Sequence, residues 1–91
     1  MQNIRITKIH STPKFFRSFG KLPYNIQELA KKKDEVFRMN PFDSRLHTHK
    51  LKGVLSGIWS YSVNYQYRIL FRFIKSDEVL YYDIGTHGIY Q

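Results

Sequence analysis

The spacing of apolar positions changes character along the chain, and each change predicts an element. Ile4, Ile6 and Ile9, interleaved with Arg5, Thr7 and Lys8, predict a first strand over residues 3–9. Ser11-Thr12-Pro13 then supplies an N-cap followed by proline at the first helical position, the arrangement that opens a helix. Phe15, Phe16 and Phe19 are expected on one face of that short helix, with Gly20 ending it. Pro23 starts a second helix. There Ile26, Leu29, Ala30, Lys33, Val36 and Phe37 keep the 3/4 spacing of a core-facing stripe, and Lys33 is its one polar member. Asn40-Pro41 stops this helix, and residues 41–44 read as a loop.

From residue 45 onward the period falls to two. Trp59, Tyr61 and Val63 alternate with Ser60, Ser62 and Asn64; Tyr67, Ile69, Phe71 and Phe73 alternate with Arg68, Leu70, Arg72 and Ile74. Lys75-Ser76-Asp77-Glu78 is polar enough to turn the chain into a last strand over 79–84. Short connections between such strands imply antiparallel hairpins. The expected fold is α+β, with two N-terminal helices packed on a four-stranded antiparallel sheet and a helical turn or tail at the C-terminus. Residues 1–91 form a single domain in this reading, since the length leaves no room for a separate cofactor domain.

Charge narrows the class of partner. Fifteen Lys and Arg face seven Asp and Glu, a net charge of +8, which attracts polyanions: nucleic acid first, an acidic protein segment second. Aromatic residues make up 16% of the chain, too many for a disordered basic tail. The tyrosines at 61, 65, 67, 81, 82 and 90 are expected mostly in the core or at sheet edges. With no cysteine, disulfides, thiolate catalysis and cysteine-ligated zinc are excluded. No signal peptide, basic amphipathic helix or run of about 20 apolar residues is present, so no membrane partner and a cytoplasmic location are expected.

The second half gathers the residue types that cut RNA without a metal. Such cleavage turns the RNA 2′-hydroxyl on the neighbouring phosphate, and it needs a base, cations around the phosphorane and an acid for the departing 5′-oxygen. Histidine suits either proton role, and arginine can hold phosphate oxygens with two hydrogen bonds. His87, between Gly85-Thr86 and Gly88, is the leading candidate. His49 is the second; on a strand it would point with His47 and Arg45, opposite Lys50 and Lys52. Arg68 and Arg72 would project from the sheet face opposite Tyr67, Ile69, Phe71 and Phe73, where they could hold a nucleic-acid strand. Lys50, Lys52, His47, Arg72 and Tyr90 are grouped with RNA binding. The run Lys31-Lys32-Lys33 reads instead as a solvated helix face. His-x-His is also a metal-ligand spacing, but only Asp43 and Asp83 stand near as further ligands, so neither a metal nor a small-molecule cofactor is expected. No glycine-rich phosphate loop, nucleophile elbow or paired-carboxylate motif occurs.

Four segments carry a family resemblance: Leu51-Lys52-Gly53, Leu55-Ser56-Gly57-Ile58-Trp59-Ser60, Tyr67-Arg68-Ile69-Leu70-Phe71, and Asp83-Ile84-Gly85-Thr86-His87. Together they resemble the RelE/ParE superfamily of toxins from bacterial toxin–antitoxin systems, and within it the RelE, YoeB and YafQ ribosome-dependent mRNA endoribonucleases. The resemblance covers residues 47–90; the N-terminal half agrees in length and in its strand-helix-helix order. It implies a type II toxin that enters the ribosomal A site, cleaves mRNA to a 2′,3′-cyclic phosphate without a metal, and is silenced by an acidic, helix-rich antitoxin. Under it His87 matches the C-terminal histidine acting as general acid, and Arg68 matches the strand arginine that stabilises phosphate charge. His49 falls where relatives place a glutamate or histidine as base or orienting group, with His47 its rival. YafQ-type toxins carry a further histidine and aspartate where this chain has Ser62 and Gln66, so its mechanism differs from theirs. Two alternatives share the fold: a ParE-like gyrase poison, and a non-catalytic module that binds RNA or antitoxin.

Overall fold

Thr12 and Pro13 set the start of the first helix as their chemistry dictates. The Thr12 hydroxyl accepts from the Phe15 amide at 2.9 Å and donates to the Tyr82 carbonyl at 2.7 Å, so one side chain caps the helix and ties it to the sheet. The computed structural model describes residues 4–53 and 57–86. In it, strand β1 (Lys8–Ser11) leads into helix α1 (Pro13–Gly20) and helix α2 (Tyr24–Met39). A 3-10 turn (Ser44–Leu46) follows, then strands β2 (His49–Lys50), β3 (Trp59–Ser62), β4 (Arg68–Lys75) and β5 (Glu78–Gly85).

The two helices lie on a five-stranded sheet in the order β1-β5-β4-β3-β2. Of the four expected strands, β3, β4 and β5 form an antiparallel meander but β1 pairs in parallel with β5, and the short β2 is a fifth strand, antiparallel to β3. The sheet is therefore mixed. Strand β1 also starts later than residues 3–9. The Ile6 amide donates to the Arg38 carbonyl and the Thr7 amide to the Asp77 carbonyl, each at 2.8 Å, so this stretch is held by the end of α2 and the β4–β5 turn before pairing begins. Strand β2, with two residues, is too short to show a period. The C-terminal turn or tail expected from the sequence lies outside the described residues.

Helix α2 follows its stripe: Ile26, Ala30 and Phe37 are buried, and Leu29 and Val36 pack against the core from its edge. On α1 the three phenylalanines divide. Phe15 is buried and Phe19 half-buried, but Phe16 is 65% exposed, because adjacent residues lie about 100° apart around a helix. Between the layers Phe37 stacks on Tyr61 at 4.6 Å and meets the edge of Phe71 at 4.9 Å. Beside them the Tyr61 and Tyr81 hydroxyls are 2.8 Å apart, and Tyr81 donates to Asp34 Oδ1 at 2.6 Å. Asp34 Oδ2 in turn accepts from Arg38 Nε at 2.8 Å. Burial is the main reason that both phenol pKa values lie well above their usual value. No helix among the described residues is long and apolar enough to cross a membrane.

Candidate functional site

Because Tyr61, Ile69 and Phe71 turn toward the helices, their strand neighbours face the other way. The register pairs Ser62 with Arg68 and His49 with Ser60, so a serine, a guanidinium and an imidazole occupy the face that the helices leave open. At the β3–β4 end a cleft of about 530 Å³ opens, within the size range of a ligand site. Lys33, Arg45, His47, His49 and Arg68 line it together with Ser62, Asn64 and Tyr65. No carboxylate is among the described lining residues.

Each cation is fixed differently. Arg45 forms a two-pronged pair with Asp43, Nε to Oδ1 and Nη2 to Oδ2, both at 2.9 Å. Asp43 Oδ1 also caps the 3-10 turn by accepting from the Arg45 amide. These bonds, with the Lys33 charge nearby, hold the Asp43 carboxyl at about 2. The Arg45 charge is thus compensated, whereas Lys33 and Arg68 have no ion-pair partner among the described residues. Arg68 Nη1 donates to Ser62 Oγ at 3.0 Å, and its buried Nε meets no acceptor among the described residues.

The two central histidines act as a pair. His47 ends the 3-10 turn in the left-handed region, at φ 50° and ψ 42°, which reverses the chain into β2. Its carbonyl oxygen lies 3.0 Å from His49 Nδ1. A carbonyl can only accept, so Nδ1 carries the proton and the neutral ring presents Nε2 as an acceptor. That is the tautomer a proton-abstracting imidazole needs.

The structure therefore brings together His47, His49 and Arg68. It does not bring Lys50, Lys52 or Arg72 into the cleft. Lys50 pairs with Trp59 on the opposite side of β2, and Trp59 packs on Phe42 and Phe73. Lys52 is exposed beyond the strand. Arg72 lies 5.9 Å above the Tyr82 ring further along β4. His87 and Tyr90 lie outside the described residues. Lys33 corrects the reading of the Lys31–Lys33 run as a solvated face: Lys31 and Lys32 are exposed, but Lys33 is half-buried and lines the cleft. Its signal was present in the sequence, as the single cation in an apolar stripe. Arg45 was expected to point with His47 and His49, and it joins them in the cleft, whereas Tyr65 carried no comparable signal. No group of three or more His, Asp or Glu side chains stands together as a metal site among the described residues.

No protein-family model matches this sequence, and no curated protein matches it. Comparison with solved structures gives a clear fold. The RelBE2 toxin–antitoxin complex of Mycobacterium tuberculosis contains a chain that superposes with a TM-score of 0.77 at 20% identity, covering 94% of this chain and 95% of that one. The YoeB/ParE toxin from Agrobacterium tumefaciens gives 0.74 at 16% identity, covering 89% and 99%. A chain of the Escherichia coli DinJ-YafQ toxin–antitoxin complex gives 0.68 at 14% identity, covering 89% and 92%. The superposition takes in most of both chains in each case, and the chain has the fold of the RelE/YoeB/YafQ toxins.

Proposed function

We propose that this protein is the toxin of a type II toxin–antitoxin pair, an endoribonuclease that cuts mRNA on the ribosome and so stops translation. The observation that carries this reading is the cleft in which Lys33 and Arg68 form no ion pair among the described residues and stand beside a His49 whose Nε2 is an acceptor in the neutral ring. Two cations without an ion pair among the described residues attract a phosphodiester, and an imidazole with Nε2 as acceptor can take a proton from its 2′-hydroxyl. The oxygen then attacks the neighbouring phosphorus as the bond to the 5′-oxygen breaks. The products are a 2′,3′-cyclic phosphate and a 5′-hydroxyl. Arg68, which lines the cleft, supplies guanidinium hydrogen bonds to the charge that builds on the phosphorane. His87 is the acid for the leaving oxygen. What supports this pairing of roles is that Arg68 pairs with Gly85 across β4 and β5, and Gly85 precedes His87 by two residues in the sequence. Proton transfer by two imidazoles and charge stabilisation by fixed cations require no divalent ion for the chemical step.

An acidic antitoxin suits the +8 charge, and the toxin–antitoxin complexes among the structural neighbours support such a partner. Ribosome and mRNA place the activity in the cytoplasm. Cleavage-site mapping in a ribosome-containing extract tests the reading. The wild-type protein should cut mRNA within codons, in the presence of a chelator of free divalent ions added after ribosome binding, and His87→Ala should lower the rate about a hundredfold or more. Intact mRNA together with DNA-damage signalling in cells would instead mark a gyrase poison. Steeply salt-dependent RNA binding without cuts would mark a non-catalytic module.

A further inference from the structure

We infer that Tyr65 is the platform on which one base of the bound RNA stacks; the inference rests on the proposed RNA cleavage. The cations of the cleft recognise phosphate, which every nucleotide carries, so they position a strand without reading it. Reading single-stranded RNA takes an aromatic face and base edges. Among the described cleft residues only Tyr65 has a large aromatic surface free in water. It is 95% exposed, whereas Tyr61 and Tyr81 are buried in the core.

Its place is fixed as well as open. Tyr65 stands at the tip of the β3–β4 hairpin, three residues from Ser62 and three from Arg68, the pair joined across the strands. Three residues of chain span at most about 10 Å, so the tip lies within the reach of one or two nucleotides of that pair. Asn64 holds the tip: its Oδ1 accepts from the Gln66 amide at 2.9 Å and the Tyr67 amide at 2.8 Å. The Val63 amide closes the turn on the Tyr67 carbonyl at 2.9 Å. A ring on a tight, bonded turn loses little freedom when a base stacks on it. Among the described residues Tyr65 packs on no other aromatic ring, so it has an open face to offer.

The test uses the full chain and a short 2′-O-methyl oligoribonucleotide, which cannot be cut, with binding read by fluorescence anisotropy. Tyr65→Ala should weaken binding about 5- to 150-fold, the equivalent of the ~1–3 kcal/mol that one stacked base is worth. Tyr65→Phe, which keeps the ring, should bind within about twofold of wild type. Replacing nucleotides one at a time by abasic sugars should cost the wild-type protein affinity at one position, and at that position Tyr65→Ala should be indifferent. The salt dependence should not change with Tyr65→Ala, because no phosphate contact is lost. Equal binding by Tyr65→Ala and wild type overturns the inference, as does a Tyr65→Phe defect equal to that of Ala. Arg68→Ala separates the two levels. If wild type and Arg68→Ala bind equally poorly, the RNA reading itself fails and Tyr65 with it; if Arg68→Ala weakens binding and Tyr65→Ala does not, only the stacking role falls.

Discussion

Arg68 and Ser62 share a 3.0 Å hydrogen bond across β3 and β4, and this bond satisfies one edge of a guanidinium whose Nε is buried without an acceptor among the described residues. A buried donor left in that state costs stability, about 1–3 kcal/mol for a typical group. The arrangement fits a side chain kept for what it binds rather than for what it stabilises. Replacing Arg68 with Met, similar in length and apolar, should therefore leave the melting temperature unchanged or raise it. The same change should lower mRNA cleavage by about 100- to 1000-fold, the usual cost of one lost charge-stabilising donor. Thermal melts and cleavage rates on one preparation check both halves.

His47 and His49 can be separated by the backbone. At φ 50° a side chain at position 47 is strained by about 1–2 kcal/mol relative to glycine. His47→Gly should be neutral or stabilising, by up to about 1 kcal/mol once the freedom that glycine adds to the unfolded chain is set against that strain. It also keeps the carbonyl that orients His49 Nδ1. Cleavage should persist in His47→Gly and be lost in His49→Ala; the opposite pattern would move the base to His47.

The phenols of Tyr61 and Tyr81 set an alkaline limit. Burial raises both pKa values in the folded chain, while in the unfolded chain they ionise near 10. Above about pH 10 the unfolded state has lost protons that the folded state still holds, so unfolding becomes easier as pH rises. Below that pH the contribution is constant. Each such group adds about 1.4 kcal/mol per pH unit at most. Denaturant melts should show stability falling from about pH 10, with a shallower fall in Tyr61→Phe than in wild type.

Lys33 should count as a phosphate contact although it belongs to a helix. Lys33→Ala should reduce the slope of log affinity against log salt by about 0.7, the value for one contact to a single strand. Lys31→Ala and Lys32→Ala should change it less, because their side chains lie outside the cleft. Anisotropy titrations at several salt concentrations measure all three.

Much of the fold was legible because local chemistry and global packing agree. Thr12-Pro13 caps α1 as read, the apolar stripe of α2 is the buried one, and the alternation over 59–64 and 67–74 gives the two faces of β3 and β4. The misses have physical causes. Strand β1 pairs in parallel with β5, a contact between chain ends that no local period encodes, and β2 is too short to alternate. Phe16 shows that spacing alone does not say where a helix face stops. At the site, the parity of β2 and β4 separated His49 from Lys50 and set Arg68 against Ile69 and Phe71. The remainder of the cleft depends on tertiary arrangement. Arg45 reaches it from a 3-10 turn and Lys33 from the helix layer, and Tyr65 reaches it through a turn that Asn64 closes.

The central claim is that the cleft cuts RNA by means of the RNA's own 2′-hydroxyl. The most direct measurement is cleavage, on ribosomes, of an mRNA in which the single nucleotide 5′ to the mapped cut carries 2′-deoxyribose. The account expects no cut at that linkage, with the all-ribose message cut there and ending in a 2′,3′-cyclic phosphate. Cleavage at the deoxy position at an undiminished rate would contradict it.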